Sequence, residues 1–314
     1  MADTQQALDN AARIQSKSLE LMAKQVVEGF IVGLHRSPFH GFSVEFSEHR
    51  LYNQGEATRH IDWKVYGRTD KMFTKKYEEE TNLRCHLIVD ASSTMYYPWD
   101  EKNPEKTRDK NKFYFSAVSA AAIMLACQKQ RDAFGLSLFD TDLKLNTSAK
   151  SSTVHYRLLL GQLEQHLDNP KLGLGTNAAT CLHTIADAIH RRSLVIIFTD
   201  VLEHIDKSEQ LFSALQHMRH NKHEVVLFHV TDKSKEIDFE FENRPYLFVD
   251  MESGEEVRLQ PNQIKEFYTQ QVNQFFEQLK LRCLQFQIDF VEADINKGYK
   301  QILQTWMAKR SKML

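Results

Sequence analysis

The stretch Leu87–Thr94, LIVDASST, decides the fold class of this chain, because an apolar run ends in an acid that hydroxyl residues follow. A second apolar run, Leu194–Asp200, LVIIFTD, also ends in an acid. Continuously apolar strands are typical of parallel sheets that helices cover on both faces, and such sheets bind ligands where their strands end. The two stretches therefore predict a buried sheet with a site at its carboxyl edge.

Strands and helices alternate from Leu83 to the C-terminus. The further predicted strands are Phe134–Phe139, Val225–Val230 and Phe286–Val291, and the predicted helices are Phe113–Gln130, Val154–Leu167, Ala178–Arg191, Glu209–Arg219, Ile264–Leu281 and Tyr299–Arg310. This rhythm predicts an α/β fold with a doubly wound, mainly parallel sheet and helices on both faces. We assign this domain to residues 83–314.

Residues 1–82 are predicted to form a separate N-terminal part. Apolar residues at helical spacing predict an amphipathic helix over Ala7–Leu34, which packs on the core or, alternatively, binds a partner. Short polar and aromatic alternation with turn residues over Arg36–Thr81 predicts a small β-rich unit.

Three separated segments place oxygen donors at the predicted strand ends: Asp90-x-Ser92-x-Thr94, Thr176 and Asp200. Two carboxylates and three hydroxyls form an all-oxygen set that suits Mg²⁺ or Mn²⁺. Because the hydroxyls are neutral, the cation keeps positive charge, and an acidic side chain of a partner protein can complete its coordination. The segments therefore predict a cation site that binds a protein partner.

The same residues allow two other interpretations. A metal-dependent hydrolase would use the cation to activate water, and it would need a general base near Asp90 and Asp200. A structural scaffold would keep the loop cluster with an empty cation site. The chain has no G-x-x-x-x-G-K-[ST] loop and no G-x-S-x-G elbow. We therefore expect a protein without enzymatic activity.

The five site residues resemble the metal-ion-dependent adhesion site of von Willebrand factor A-type domains in order, spacing and strand context. This resemblance implies that Ser92, Thr94 and Thr176 contact the cation directly. It implies that Asp90 and Asp200 act mostly through water. Thr94 stands where the pattern usually has Ser, and the residue after Asp200 is Val where Gly is common.

The segment before the α/β domain sharpens the resemblance. Gly41–Tyr52, Arg59–Lys64 (RHIDWK) and Gly67–Thr69 resemble the signature of the bacterial domain-of-unknown-function family fifty-eight. In that family a β-rich stretch precedes an A-type domain. The resemblance implies an adaptor that works with a MoxR-type AAA+ ATPase in assembling or activating other proteins.

Five residues of this segment are candidates for a partner-binding surface: Arg50, Arg59, Asp62, Trp63 and Arg68. Trp and Arg are frequent anchors of protein interfaces. The alternative interpretation is structural, with internal ion pairs and a buried Trp that hold the β-rich unit together.

The charge balance and the cysteines indicate which partners and which cellular location to expect. The 40 basic and 42 acidic residues give a net charge of -2, so no global field would recruit nucleic acid or an anionic membrane. The 4 cysteines are scattered without a C-x-x-C pair, which favours reduced core thiols and a cytoplasmic location. The sequence has no signal peptide pattern and no apolar run long enough to span a membrane, so we expect no membrane insertion.

An acidic region follows the predicted strand Val225–Val230 and begins with Asp232, Glu236, Asp238 and Glu240. Charge runs are usually solvated faces, and we interpret this one in that way. The alternative is a surface that presents carboxylates to a basic partner.

Overall fold

The computed structural model describes residues 18–28, 43–52, 62–80, 83–100, 102–173, 175–200 and 208–313. The chain divides into a smaller compact unit, residues 36–83, and a larger one that combines residues 1–35 with 84–314. The division after residue 83 lies next to the predicted boundary after residue 82, but the described N-terminal helix groups with the larger unit. The assignment of separate domains stays a prediction.

Helix α1, Leu19–Glu28, is the described part of the predicted N-terminal helix. Leu19, Ala23, Val26 and Val27 repeat at helical spacing and are buried. They pack against the long helix that follows the first strand of the larger unit. Core packing is therefore confirmed for this part, and the rest of the predicted range lies outside the described residues.

In the smaller unit, strand β1, Ser43–Leu51, pairs antiparallel with β2, Phe73–Glu80, and helix α2, Trp63–Thr69, lies between them in sequence. The strand pair agrees with the predicted small β-rich unit, and helix α2 is an element that the prediction did not include. Helix α2 begins after Asp62, whose Oδ1 accepts hydrogen bonds from the amides of Lys64 at 3.0 Å and Val65 at 3.2 Å. This N-cap satisfies amides that the first turn of a helix leaves unpaired.

The larger unit is built on one six-stranded sheet. Its strands are β3 Arg84–Asp90, β4 Ala133–Phe139, β5 Leu143–Asn146, β6 Leu194–Thr199, β7 Glu224–Thr231 and β10 Asp289–Asp294, and a separate hairpin pairs β8 Tyr246–Val249 with β9 Glu256–Leu259. The spatial order is β10-β7-β6-β3-β4-β5, and every neighbouring pair is parallel except β4 and β5. The predicted mainly parallel sheet is confirmed.

Helices cover both faces of this sheet. They are α3 Pro104–Arg108, α4 Lys112–Lys129, α5 Thr153–Asp168, α6 Ala178–Ala188, α7 Ser208–His220, α8 Pro261–Gln285 and α9 Tyr299–Met313. Alternate strand residues such as Ile88 and Ile197 pack with apolar residues of α6, α7 and α8. On the opposite face Phe198 stacks on Phe228 at 4.8 Å, and Phe228 contacts Trp306 of α9 at 5.4 Å between ring centroids. The doubly wound fold class is therefore confirmed.

The strand order reverses at β3, because the chain adds β4 on one side of it and later β6 on the other. In open α/β sheets this switch point opens a crevice beyond the carboxyl ends of the strands. The four cysteines are buried and free, as predicted for core thiols. In the described ranges no helix is both long and apolar enough to cross a membrane.

Candidate metal centre

Asp90 is the last residue of β3 and lies at the switch point with no exposed surface. The parallel register pairs Val89 with Phe198, so Thr199 at the end of β6 lies beside Asp90. Its hydroxyl donates to Asp90 Oδ2 at 2.7 Å, and the amide of Ser92 donates to Asp90 Oδ1 at 2.9 Å. Both oxygens of the carboxylate are thus held by neighbours before any ligand is considered.

The loop after β3 turns two hydroxyls towards each other. Ser92 is fully buried, and a short 3₁₀ turn over Ser93–Tyr96 follows it. The Ser92 hydroxyl lies 3.2 Å from the Thr94 hydroxyl. The Thr94 side chain also hydrogen-bonds to Asp200. The first and last predicted segments therefore meet in one hydrogen-bonded cluster.

Asp200 follows β6 and is buried. Its Oδ2 accepts a hydrogen bond from the Lys112 ammonium at 2.9 Å. Its backbone carbonyl accepts one from His229 Nε2 at 2.8 Å. Burial lowers the pKa of His229 to about 4, so this ring is neutral and donates from Nε2. The side chain and the backbone of Asp200 are both fixed.

The two carboxylates have opposite pKa shifts. Burial first, and then the negative charge of Asp200, raise the pKa of Asp90 to about 7. Burial would also raise the pKa of Asp200, but the ammonium of Lys112 and the hydrogen bond from Thr94 lower it overall. When both carboxylates are ionised, they carry more negative charge than Lys112 neutralises, and a bound cation would favour the ionised form of Asp90.

Thr176 lies in the loop before α6. The next amide, that of Asn177, donates to the carbonyl of Asp140 at 3.1 Å, which ties this loop to the end of β4, the neighbour of β3. The Thr176 hydroxyl is buried and has no hydrogen-bond partner within the described ranges. A buried polar atom without a partner is rare and costly, and a missing ligand is one explanation. Thr176 thus lies at the same sheet edge, without a direct bond to the Asp90 cluster.

This donor set fits a hard cation such as Mg²⁺ or Mn²⁺ better than a softer metal such as Zn²⁺ or Cu²⁺. Among the described residues no three His, Cys, Asp or Glu side chains are arranged to hold a metal ion. Hydroxyl oxygens of Ser92, Thr94 and Thr176 would supply the direct ligands, and the two carboxylates would hold waters of the cation. Mg²⁺ accepts such oxygens and keeps several waters, so two nearby carboxylates suffice for it.

Lys112 and Glu236 are two residues of this site that the sequence patterns did not indicate. Lys112 opens helix α4, is fully buried, and its ammonium also contacts Glu236 Oε1 at 2.5 Å. The interpretation of the acidic region as a solvated face is wrong for Glu236, because this carboxylate pairs with a buried charge. The available signal for the first residue of the pair was a lysine directly before the largely apolar run Phe113–Cys127.

The candidate partner-binding residues are only partly placed. Trp63 is 59% exposed and meets Tyr66 edge-on at 6.1 Å, so the alternative of a buried Trp is wrong. Asp62 is a helix cap, and Arg68 is exposed in the last turn of α2. Arg50 belongs to β1 without a described side chain, and Arg59 lies outside the described residues.

The fold and the cluster define a doubly wound α/β protein with a buried acidic site at its topological switch point. The family described as "Protein of unknown function DUF58" matches residues 48–275, and the chain belongs to this family. The family predicted from the sequence is therefore confirmed.

An uncharacterised protein of Mycobacterium bovis is 24% identical over 216 residues, which is 69% of this chain and 64% of that protein. This chain therefore spans less than two thirds of that relative. BatB of Bacteroides thetaiotaomicron is 10% identical with a TM-score of 0.41, over 73% of this chain and 99% of that one. An aerotolerance-related membrane protein of Bacteroides fragilis is 13% identical with a TM-score of 0.45, over 74% and 100%. Because both TM-scores are below 0.5, the family assignment rests on the sequence match.

Proposed function

We propose that this chain is a non-enzymatic protein-binding module that captures an acidic side chain of its partner through one Mg²⁺ or Mn²⁺. Ser92, Thr94 and Thr176 would bind the cation, and Asp90 and Asp200 would hold its waters. The cation supplies a positive centre that a partner's carboxylate can join. The five residues otherwise act by orienting oxygens and by excluding bulk water from them.

One observation carries this proposal, namely the hydrogen-bonded oxygen cluster of Asp90, Ser92, Thr94 and Asp200 at the switch point. It is already ordered by Thr199 and Lys112, so binding a cation would need little rearrangement. The unpaired hydroxyl of Thr176 gives independent support. A preformed site of this kind favours binding, because less conformational entropy is lost.

The proposed partner is a protein that offers an Asp or Glu, and the family resemblance suggests a MoxR-type AAA+ ATPase. The role suggested is that of an adaptor in assembling or activating other proteins. The cytoplasmic location expected from the cysteines belongs to this proposal as well. The proposal includes neither nucleic acid as a partner nor insertion into a membrane.

Calorimetric titration of Mg²⁺ and Mn²⁺ tests the cation site. We expect saturable binding to the wild type, and binding about 10- to 100-fold weaker in Asp90→Asn, the range typical for residues that orient the ligands of a metal. Asp140→Asn is the matched control, because Asp140 is also a buried acid but follows the adjacent strand β4 and pairs with Lys144. It should bind as the wild type does.

Pull-down with the full chain as bait tests the partner. A MoxR-type ATPase or another acidic client should be recovered with Mg²⁺, and lost with EDTA or in Asp200→Ala. Recovery that neither EDTA nor Asp200→Ala reduces would favour the interpretation as a structural scaffold. Cation-dependent turnover in a phosphatase and esterase screen would favour the hydrolase.

A further inference from the structure

Lys112 is a lysine buried completely inside the protein. Its ammonium lies 2.9 Å from Asp200 Oδ2 and 2.5 Å from Glu236 Oε1, and its side chain is 0% exposed. Lysine is almost never fully buried unless it is paired. Burial alone would lower the pKa of Lys112, but the charges of Asp200 and Glu236 raise it overall, so the ammonium stays charged.

Glu236 is the fixed end of this ion pair. Its Oε2 accepts a hydrogen bond from the amide of Asp232 at 2.7 Å. Its backbone carbonyl accepts one from the Tyr268 hydroxyl of α8 at 2.9 Å. It belongs to a single π-helical turn, Lys233–Ile237, that follows β7. The anchored carboxylate keeps the ammonium at Asp200 and restrains it from swinging out to solvent.

The charges of the group explain what this arrangement does. Asp90, Asp200 and Glu236 are three acids, and Lys112 is the only cation among them in the described part of the site. The ammonium takes one oxygen of Asp200, and it would repel a divalent cation bound among the neighbouring hydroxyls. In a buried site this repulsion is weakly screened.

We propose that Lys112 is a built-in counterion of Asp200 that keeps the affinity of the site for a divalent cation low until a partner's carboxylate joins the cation. This inference rests on the proposed function of the site. The incoming carboxylate supplies the negative charge that the lysine has neutralised. Cation and partner then strengthen each other's binding by the same factor, as thermodynamic linkage requires.

Titration of Mn²⁺ into the metal-free full chain tests the proposal, with Lys112→Met and Glu236→Gln as opposed variants. Lys112→Met removes the competing charge, and we expect Mn²⁺ to bind at least about tenfold more tightly, which is about 1.4 kcal/mol. Glu236→Gln leaves the ammonium to Asp200 alone, and we expect binding at least about threefold weaker because one negative charge is lost. Lys144→Met is the control, because this lysine pairs with Asp140 and is partly exposed.

The control should bind Mn²⁺ within about twofold of the wild type, a difference too small to reflect a direct electrostatic role. Equal or weaker binding by folded Lys112→Met overturns the proposal. If that variant does not fold, Glu236→Gln decides, and tighter binding there overturns it. No saturable binding in any folded variant would instead remove the cation site, and with it the proposed function.

Two further readouts separate a counterion from a purely structural lysine. In EDTA, Lys112→Met should melt below the wild type, and Mn²⁺ should raise its melting temperature more than it raises that of the wild type. Saturating acetate, as a minimal carboxylate, should strengthen Mn²⁺ binding to the wild type at least about threefold after correction for acetate bound to free Mn²⁺. An affinity that acetate leaves unchanged overturns the coupling.

Discussion

The two edges of the parallel sheet bury polar side chains in opposite ways. At the carboxyl edge Asp90, Asp200 and Lys112 are buried, and the ammonium and the Asp200 carboxylate form an ion pair. At the amino edge His86 and His223 are buried, and burial lowers their pKa to about 3 and about 4, so both rings are neutral. The ion pair of Lys112 with Asp200 is charged, whereas the two histidines at the amino edge are uncharged.

The two arrangements differ in what they cost the folded protein. His86 needs only a hydrogen bond, which its Nε2 forms with the Ser137 hydroxyl at 2.8 Å. A buried ion pair costs desolvation energy that well-packed apolar residues would avoid. Stability of the fold alone would therefore not favour the buried ion pair of Asp200 with Lys112. The buried charges at the carboxyl edge are therefore consistent with the proposed binding site, whereas His86 at the amino edge needs no ligand.

The largest effect should come from breaking the ion pair at the carboxyl edge. Asp200→Ala leaves the buried ammonium with Glu236 alone, and removing one partner of a buried pair typically costs about 3 to 5 kcal/mol. Relief of the repulsion between Asp90 and Asp200 offsets part of this, so we expect a loss of about 3 kcal/mol in the free energy of unfolding. Urea unfolding in EDTA measures it.

Asp168→Ala is the matched control for that experiment. Asp168 pairs with Arg108 at 2.6 Å, but its side chain is 57% exposed. Exposed ion pairs contribute about 0 to 1 kcal/mol, so the control should lose no more than that. Similar losses in both variants would contradict the contrast between a buried and a solvated pair.

A slightly smaller effect is expected from crowding the amino edge. A Cβ at Gly135 would lie 2.7 Å from His86 Nδ1 and 2.9 Å from the carbonyl oxygen of Thr147. The His86 ring cannot move without losing its packing, and the Thr147 carbonyl cannot move without a shift of the backbone. We expect Gly135→Ala to lower the free energy of unfolding by about 2 kcal/mol, as overpacking of a dense core does.

Gly161→Ala controls for the change of residue type. Gly161 lies inside α5, and a Cβ there would meet nothing within 4 Å. Alanine is the better helix former, so this variant should gain up to about 1 kcal/mol. A stability gain at Gly135 as well would show that the His86 pocket is looser than the distances indicate.

Much of the larger unit could be predicted from the sequence, because its strands are continuously apolar. The predicted strand over Leu194–Phe198 extends only one residue further in the structure, to Thr199. Strands β5, β8 and β9 were missed, since each has only four residues at the sheet edge or in a hairpin and little buried surface. Helix α2 was missed because its aromatic and glycine residues resembled a strand and a turn.

The residues of the candidate site also divide into those that the sequence could predict and those that it could not. Residues that directly follow an apolar strand, such as Asp90 and Asp200, could be placed at one edge by the rule for parallel strands. Lys112 and Glu236 could not be paired, because 124 positions separate them and no periodicity connects a helix start to a π-helical turn. Binding of a cation at these residues stays a prediction.

The smallest effect that we predict concerns pH at the amino edge. Burial first, and then the nearby His223, lower the pKa of His86 to about 3, against 6.5 for an ordinary histidine. Below about pH 6.5 the unfolded chain therefore binds a proton at His86, whereas the folded protein does not. The contribution of His86 to the free energy of unfolding is thus intact above that pH and is lost as the pH falls. The cost approaches about 1.4 kcal/mol per pH unit only well below pH 6.5, and it sums to about 1.6 kcal/mol between pH 6.5 and 5. We expect the free energy of unfolding of His86→Asn, which keeps a polar group for Ser137, to fall by about 1.6 kcal/mol less than that of the wild type over this range, as urea unfolding measures. Parallel stability curves for the two proteins would show that the ring is already solvated, and the contrast between the two edges would fail.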